Sequence, residues 1–96
     1  MIKVVANNYL KEECVDEFIR LAKIIVEKTN ALDKGCISYQ LYRNTENPLQ
    51  LTMLEEWESM DAINAHMQAD HFKEIIPQFD PLCSGEGEIV IFENAW

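Results

Sequence analysis

The chain's only two histidines, His66 and His71, stand five positions apart in the stretch EEWESMDAINAHMQADHF, which runs from Glu55 to Phe72 and carries Trp57 between acidic residues. Two kinds of chemistry would use such a set: metal ligation and proton transfer. On an unbroken helix five positions turn about 500°, which leaves the two rings about 140° apart around the axis, whereas helical metal ligands sit three or four apart. A helix break near Asp70 would bring them together, but no cysteine or aspartate spacing supplies a further ligand set, so no metal is expected. Proton transfer suits His66 better. A histidine on a helix, beside an aromatic strand residue and facing a partly apolar pocket, titrates near neutrality and can take a proton from a phenol-like substrate. A hydrogen-bonded boundary residue between helix and strand is the plainer account of the same position. His71 falls where a helix begins, where the macrodipole disfavours a cation, and it fits a structural role better than a basic one. Trp57, in alternation with Met53 and Glu55, belongs to a core or an interface, or forms a wall of the pocket.

The elements that must position these side chains can be read from period. Residues 2 to 10, IKVVANNYL, begin β-branched and turn polar, as a strand does when it passes from a core toward a cleft. Strand interiors avoid asparagine, so one of Asn7 and Asn8 points at something that needs an amide, or the pair marks a wetted edge or bulge. From Lys11 to Ala31, Val15, Phe18, Ile19, Ala22, Ile25 and Val26 fall on one helical face, widened by Leu21 and Ile24. Asn30 and the DKG that follows supply the stop, with Gly35 able to take the left-handed conformation. CISYQLY then alternates, with Ile37, Tyr39 and Leu41 on one side and Ser38, Gln40 and Tyr42 on the other. RNTENP is a turn by composition, and LQLTMLEEWE resumes the alternation, so these two strands form a hairpin.

Ser59 is placed to cap a helix with the stripe Met60, Ile63 and Met67, and Asp70 to cap another with Phe72, Ile75 and Ile76, so the helical region breaks between Gln68 and Asp70. Pro77 ends it. EIVIFE, residues 88 to 93, is a last strand whose consecutive apolar residues suggest that both its faces are covered. The order strand, helix, strand, strand, helix, strand is the βαββαβ, ferredoxin-like arrangement, an α+β fold with an antiparallel sheet and helices on one face. Its other face would be bare and partly apolar, which predicts two sheets facing each other in a homodimer. The space between helices and sheet would hold a mostly apolar small molecule.

Composition sets outer limits. At 96 residues, 48% hydrophobic and 26% charged, the chain fits one domain spanning residues 1–96. Eight basic against seventeen acidic residues give a net charge of −9, which opposes nucleic acid and anionic lipid. No apolar run approaches the ~20 residues that cross a bilayer, so a cytoplasmic location is the expectation. Cys14, Cys36 and Cys83 are odd in number and lack a CxxC spacing, which reads as reduced thiols.

The stretch from Glu55 to Phe72 resembles the E-x-W…L-x-x-H-x-x-x-x-H-F signature of the antibiotic biosynthesis monooxygenase family, dimeric ferredoxin-like proteins that include quinol monooxygenases. Glu55, Trp57, Ile63 (where leucine is usual), His66, His71 and Phe72 match in place. The resemblance implies oxygen chemistry with no cofactor: a quinol or polycyclic phenol loses a proton, and its electron-rich anion reduces dioxygen. His66 would then be the base or anion stabiliser, Asn7 or Asn8 would hydrogen-bond a substrate oxygen, and Trp57 with Tyr39 or Tyr42 would shape the cavity, with His71 beside them. Related branches imply rivals. Haem degradation would use an iron-binding histidine, and none follows Pro77. Isomerisation of a phosphorylated sugar would want cationic contacts, and Arg20, Arg43 and Lys73 are scattered. A non-catalytic dimeric module that binds a small molecule is the alternative from another class.

Overall fold

A computed structural model describes all residues from Met1 to Trp96. Strands β1 (Ile2–Tyr9), β2 (Cys36–Asn44), β3 (Asn47–Trp57) and β4 (Glu88–Glu93) form one antiparallel sheet in the order β2-β3-β1-β4. Helices α1 (Val15–Leu32), α2 (Met60–Gln68) and α3 (Asp70–Ile75) lie on one face, giving the ferredoxin-like α+β fold that the order of elements predicts. The register aligns Tyr39, Glu55, Val4 and Ile91 in one row across the sheet, and all four side chains point to the side that carries the helices, where Ile91 at the edge stays exposed.

Helix α1 buries Phe18, Leu21, Ala22 and Ile25, with Val15, Ile19, Ile24 and Val26 packed at the flanks of the same core. Each large apolar side chain buried this way contributes about 1.5–3 kcal/mol, and Phe18 adds a ring contact to Phe79 at 4.3 Å. The helix ends at Leu32, and Asp33 turns the chain into extended backbone. Gly35 follows at φ +82°, where a Cβ would also stand 2.6 Å from that of Ala62. Only glycine meets both demands. Asn30 proves to be a stitch rather than a stop, since its amide donates to the carbonyls of Val26 at 2.9 Å and Tyr39 at 2.8 Å.

Three local expectations change. A bulge between Cys36 and Ser38 inserts one residue into β2, so Cys36, Tyr39 and Leu41 share the covered face while Ile37 is left outside and exposed. Ser59 caps α2 as expected, its Oγ accepting from the Ala62 N–H at 3.2 Å, and the helical region breaks within the predicted window, at Ala69 (φ −68°, ψ 147°). That extended alanine is itself the cap of α3, and Asp70 is the first helical residue, not the cap. Finally, β4 is an edge strand whose six residues are all exposed in the single chain, so its two apolar faces are not covered by the chain's own elements. No helix is long and apolar enough to cross a membrane.

Candidate active site

Between the covered face of the sheet and the pair α2–α3 lies a cavity of about 590 Å³. Val4, Ala6 and Met53 form its floor, and Ile63, Phe72 and Ile76 its roof, a mostly apolar enclosure of a size that suits a small polycyclic molecule. No lysine or arginine lines it, whereas Glu55, Asp80, Glu86 and Glu88 do.

His66 lines this cavity from α2 and is 3% exposed. The break at Ala69 redirects the chain so that His71 in α3 comes back toward it, with ring centroids 6.1 Å apart. Between them stands Asp33, delivered by the end of α1. Its carboxylate lies 2.5 Å from His66 Nδ1 and 3.0 Å from His71 Nε2, and its side chain is 8% exposed. Burial pushes the His66 pKa below the ordinary histidine value, and the neighbouring Asp33 carboxylate only partly offsets this. Near neutral pH the ring is therefore uncharged, and the contact is a hydrogen bond from Nδ1–H to a carboxylate rather than an ion pair. Nε2 has no partner in the chain and keeps a free lone pair. A base whose second nitrogen is fixed by a carboxylate is the arrangement that holds an imidazole in one tautomer and orientation for proton transfer.

Aromatic rings set the burial. Tyr39, Trp57 and Phe72 pack around His66 at centroid distances of 5.2, 4.7 and 5.0 Å. Tyr39 lines the cavity, and burial raises its phenol pKa, with the Glu55 and Asp33 carboxylates adding to the effect, so it stays protonated. Trp57 does not form a cavity wall. It is fully buried behind His66 and donates its indole N–H to Glu55 Oε1 at 2.9 Å. Glu55 faces the cavity from β3, and burial pushes its carboxyl up to about 7 against the lowering effect of that hydrogen bond.

Strand alternation separates the two asparagines. Asn8 shares the covered face with Val4 and Ala6, and its amide N–H groups donate to the carbonyls of Ala6 and Leu51, each at 3.3 Å. What remains for a ligand is its oxygen. Asn7 turns its side chain to the other face, where Oδ1 accepts from Thr52 at 2.7 Å and Gln50 at 3.2 Å; its backbone is what reaches the cavity region. Tyr42, paired with Thr52, lies on that same far face and is exposed, so it cannot shape the cavity of its own chain. His71 reaches Asp33 and does not line the cavity.

Residue spacing along the chain offers no third ligand for a metal, yet the fold supplies one: the donor atoms of Asp33, His66 and His71 all lie within 4.8 Å of one another. Their spacing tests the fit. Ligands of a tetrahedral zinc at about 2.1 Å stand about 3.4 Å apart, whereas two pairs here are at 2.5 and 3.0 Å, and both imidazoles would have to surrender their N–H bonds. As placed, the Asp33 carboxylate accepts a hydrogen bond from each ring. Sequence reasoning missed Asp33 because nothing local marks it; the only signal was an acidic residue at a helix stop. Glu55 was named in the motif and given no role, although a glutamate on the inward side of an alternating strand is the signal of a buried carboxyl. Cys36 is pushed up to about 11 by burial and the nearby carboxylates of Asp33 and Glu55, which keeps it a thiol and not a nucleophile.

A one-sided ferredoxin-like sheet, an apolar cavity beneath its helices and a carboxylate-fixed histidine at the cavity's edge define a small α+β domain with an enclosed pocket. The chain belongs to the antibiotic biosynthesis monooxygenase family, which it matches over residues 1–78. Among solved structures it is similar to a conserved protein from Methanosarcina mazei Go1, at 44% identity and TM-score 0.92 over 96% of this chain and 90% of that one. It is also similar to an antibiotic biosynthesis monooxygenase at 27% identity and TM-score 0.92, with 99% of each chain covered. Rv0793 from Mycobacterium tuberculosis shares the fold at 19% identity and TM-score 0.90, over 97% of this chain and 93% of that one. No curated protein matches the chain.

Proposed function

We propose that the chain, as one domain of residues 1–96, is the subunit of a homodimeric, cofactor-independent monooxygenase that oxidises a quinol or polycyclic phenol with dioxygen. The observation that carries this reading is His66, uncharged, tied through Nδ1 to Asp33 and free at Nε2 beside an apolar cavity. A phenol seated there gives its proton to Nε2. The phenolate passes an electron to dioxygen, the two radicals join as a peroxide at a ring carbon, and the proton held on His66 returns to that peroxide. That carbon bears a hydrogen, and loss of water breaks its C–H and the O–O bond and leaves a carbonyl, so one oxygen atom enters the product and the other leaves as water. An apolar site protects the anion and the reduced oxygen species from side reactions. Asn8 accepts from a second substrate hydroxyl, Tyr39 and Phe72 bracket the ring system, and His71 holds Asp33 in place from its far side.

The open face of the sheet supports the dimer. Leu54, Tyr42, Val90 and Phe92 are exposed there, and a second copy would bury them. Three free cysteines fit a reducing compartment such as the cytoplasm. The acidic lining opposes a phosphorylated sugar, because a phosphate needs cationic contacts. Oxygen uptake by metal-free, flavin-free protein with a panel of hydroquinones and anthrone-like phenols tests the reading. Uptake above the uncatalysed rate is expected; tight binding of the panel with no uptake would leave a non-catalytic binding module instead.

A further inference from the structure

The hydrogen-bonding groups around the cavity are unevenly spent. Both N–H groups of Asn8 are committed to backbone carbonyls, leaving its oxygen. The donor nitrogen of His66 is committed to Asp33, leaving the lone pair of Nε2. Above about pH 7 Glu55 is a carboxylate with one oxygen engaged by Trp57 and the other left to accept. The Cys83 thiol is turned to the carbonyl of Phe79 at 3.3 Å. Tyr39 carries the one side-chain hydroxyl in the lining, and it serves as donor or acceptor. Farther out, Asp80 and Glu86 add acceptors and negative charge, whereas the Glu88 carboxylate turns with Asn7 to the other face and accepts from Tyr9.

We infer that the cavity selects its ligand by counting hydrogen-bond donors, taking an uncharged aromatic with at least two hydroxyl groups, rejecting anionic ligands and releasing the oxidised product. This rests on the proposed quinol or phenol chemistry for its reaction and not for its binding preference. A buried acceptor left without a donor costs free energy, and a site built around a ligand's O–H groups rejects the analogue that lacks them far more strongly than it rejects a missing methylene. A quinone brings only lone pairs, which would face those of Asn8 Oδ1, Glu55 and His66 Nε2. Turnover lowers the donor count of the ligand, because two hydrogens leave the substrate as water while one oxygen atom enters it. The same three residues that seat the substrate thus loosen the product.

Anaerobic calorimetry at pH 8, where Glu55 is ionised, with 2,3-dimethyl-1,4-dihydroxynaphthalene, its dimethyl ether and its quinone tests this, since the ring methyls block addition of the cysteine thiols to the quinone. The quinol should bind about tenfold or more tighter than either analogue. Glu55→Gln, which brings an N–H donor into the cavity while keeping an acceptor for Trp57, should narrow that ratio several-fold, and Asn8→Ala should narrow it also. Equal or tighter binding of the quinone to the wild-type protein, or a ratio unmoved in both variants, would overturn the inference. The two proposals fail separately: selective binding without oxygen uptake removes the oxygenase reading alone, and uptake without selectivity removes donor counting alone.

Discussion

The two faces of the sheet are written in the same alternating strands and have opposite fates. On the covered face, Val4, Tyr39 and Met53 are buried beneath the helices and line a cavity, with Trp57 buried behind His66. On the open face, Val90 and Phe92 stand 43% and 52% exposed beside Tyr42 and Leu54. Asn7 and Asn8 make the contrast sharpest, because adjacent residues of β1 send one amide to each side. One face holds a buried histidine, fixed by a carboxylate, beside an apolar cavity; the other leaves its apolar side chains open.

Disabling chemistry on the covered face should have the largest consequence. His66→Ala is expected to lower oxygen uptake by about a hundredfold or more, while Tyr42→Phe on the open face changes it less than about twofold. Comparable rates for the two variants would erase the functional difference between the faces.

The reverse experiment charges the open face. Phe92→Glu should weaken self-association about tenfold or more, read by sedimentation velocity, because a carboxylate would be buried opposite its own copy. A stable dimer in that variant would mean that the open face is not the interface.

Asn8→Ala should raise the KM for a hydroquinone about tenfold, and Asn7→Ala should leave it within about twofold, since only Asn8 presents an acceptor to the cavity. Equal effects would move the boundary between the faces.

The smallest effect concerns pH and is confined to the covered face. The Glu55 carboxyl, near 7 when folded and 4.5 when not, is protonated more readily in the native state, so its burial costs stability increasingly as pH rises from 4.5 through 7. His66 has the opposite sign. Its folded pKa lies below 6.5, so the unfolded chain binds the extra proton and stability falls as pH drops below 6.5. Glu55→Gln should therefore raise Tm by about 4 °C or more at pH 8, with the gain shrinking toward pH 5. A gain independent of pH would show that the carboxyl is not the cause.

Much of the fold is legible locally. The three-and-four spacing of α1, the alternation of β2 and β3, the capping serine at position 59 and the glycine at position 35 each follow from a neighbourhood of a few residues. The break in the second helical region could also be placed. What could not be read depends on register or on distant chain. Which asparagine turns inward needs the pairing of β1 with β3, and the outward Ile37 needs an inserted residue that alternation alone cannot count. Asp33 lies 33 positions from His66 and 38 from His71, so its place between them exists only after α1 docks on the sheet. Composition showed that β4 is apolar on both sides, but its place at the sheet's edge is a tertiary fact.

The measurement closest to the central claim is a double-mutant cycle on kcat/KM for oxygen uptake, using Asp33→Asn, His66→Ala and the pair. Asp33 acts through the tautomer of His66, so Asp33→Asn alone should cost about tenfold or more, and adding it to His66→Ala should cost nothing further. Losses that multiply in the double variant would contradict the account, because the carboxylate would then be working independently of the ring it holds.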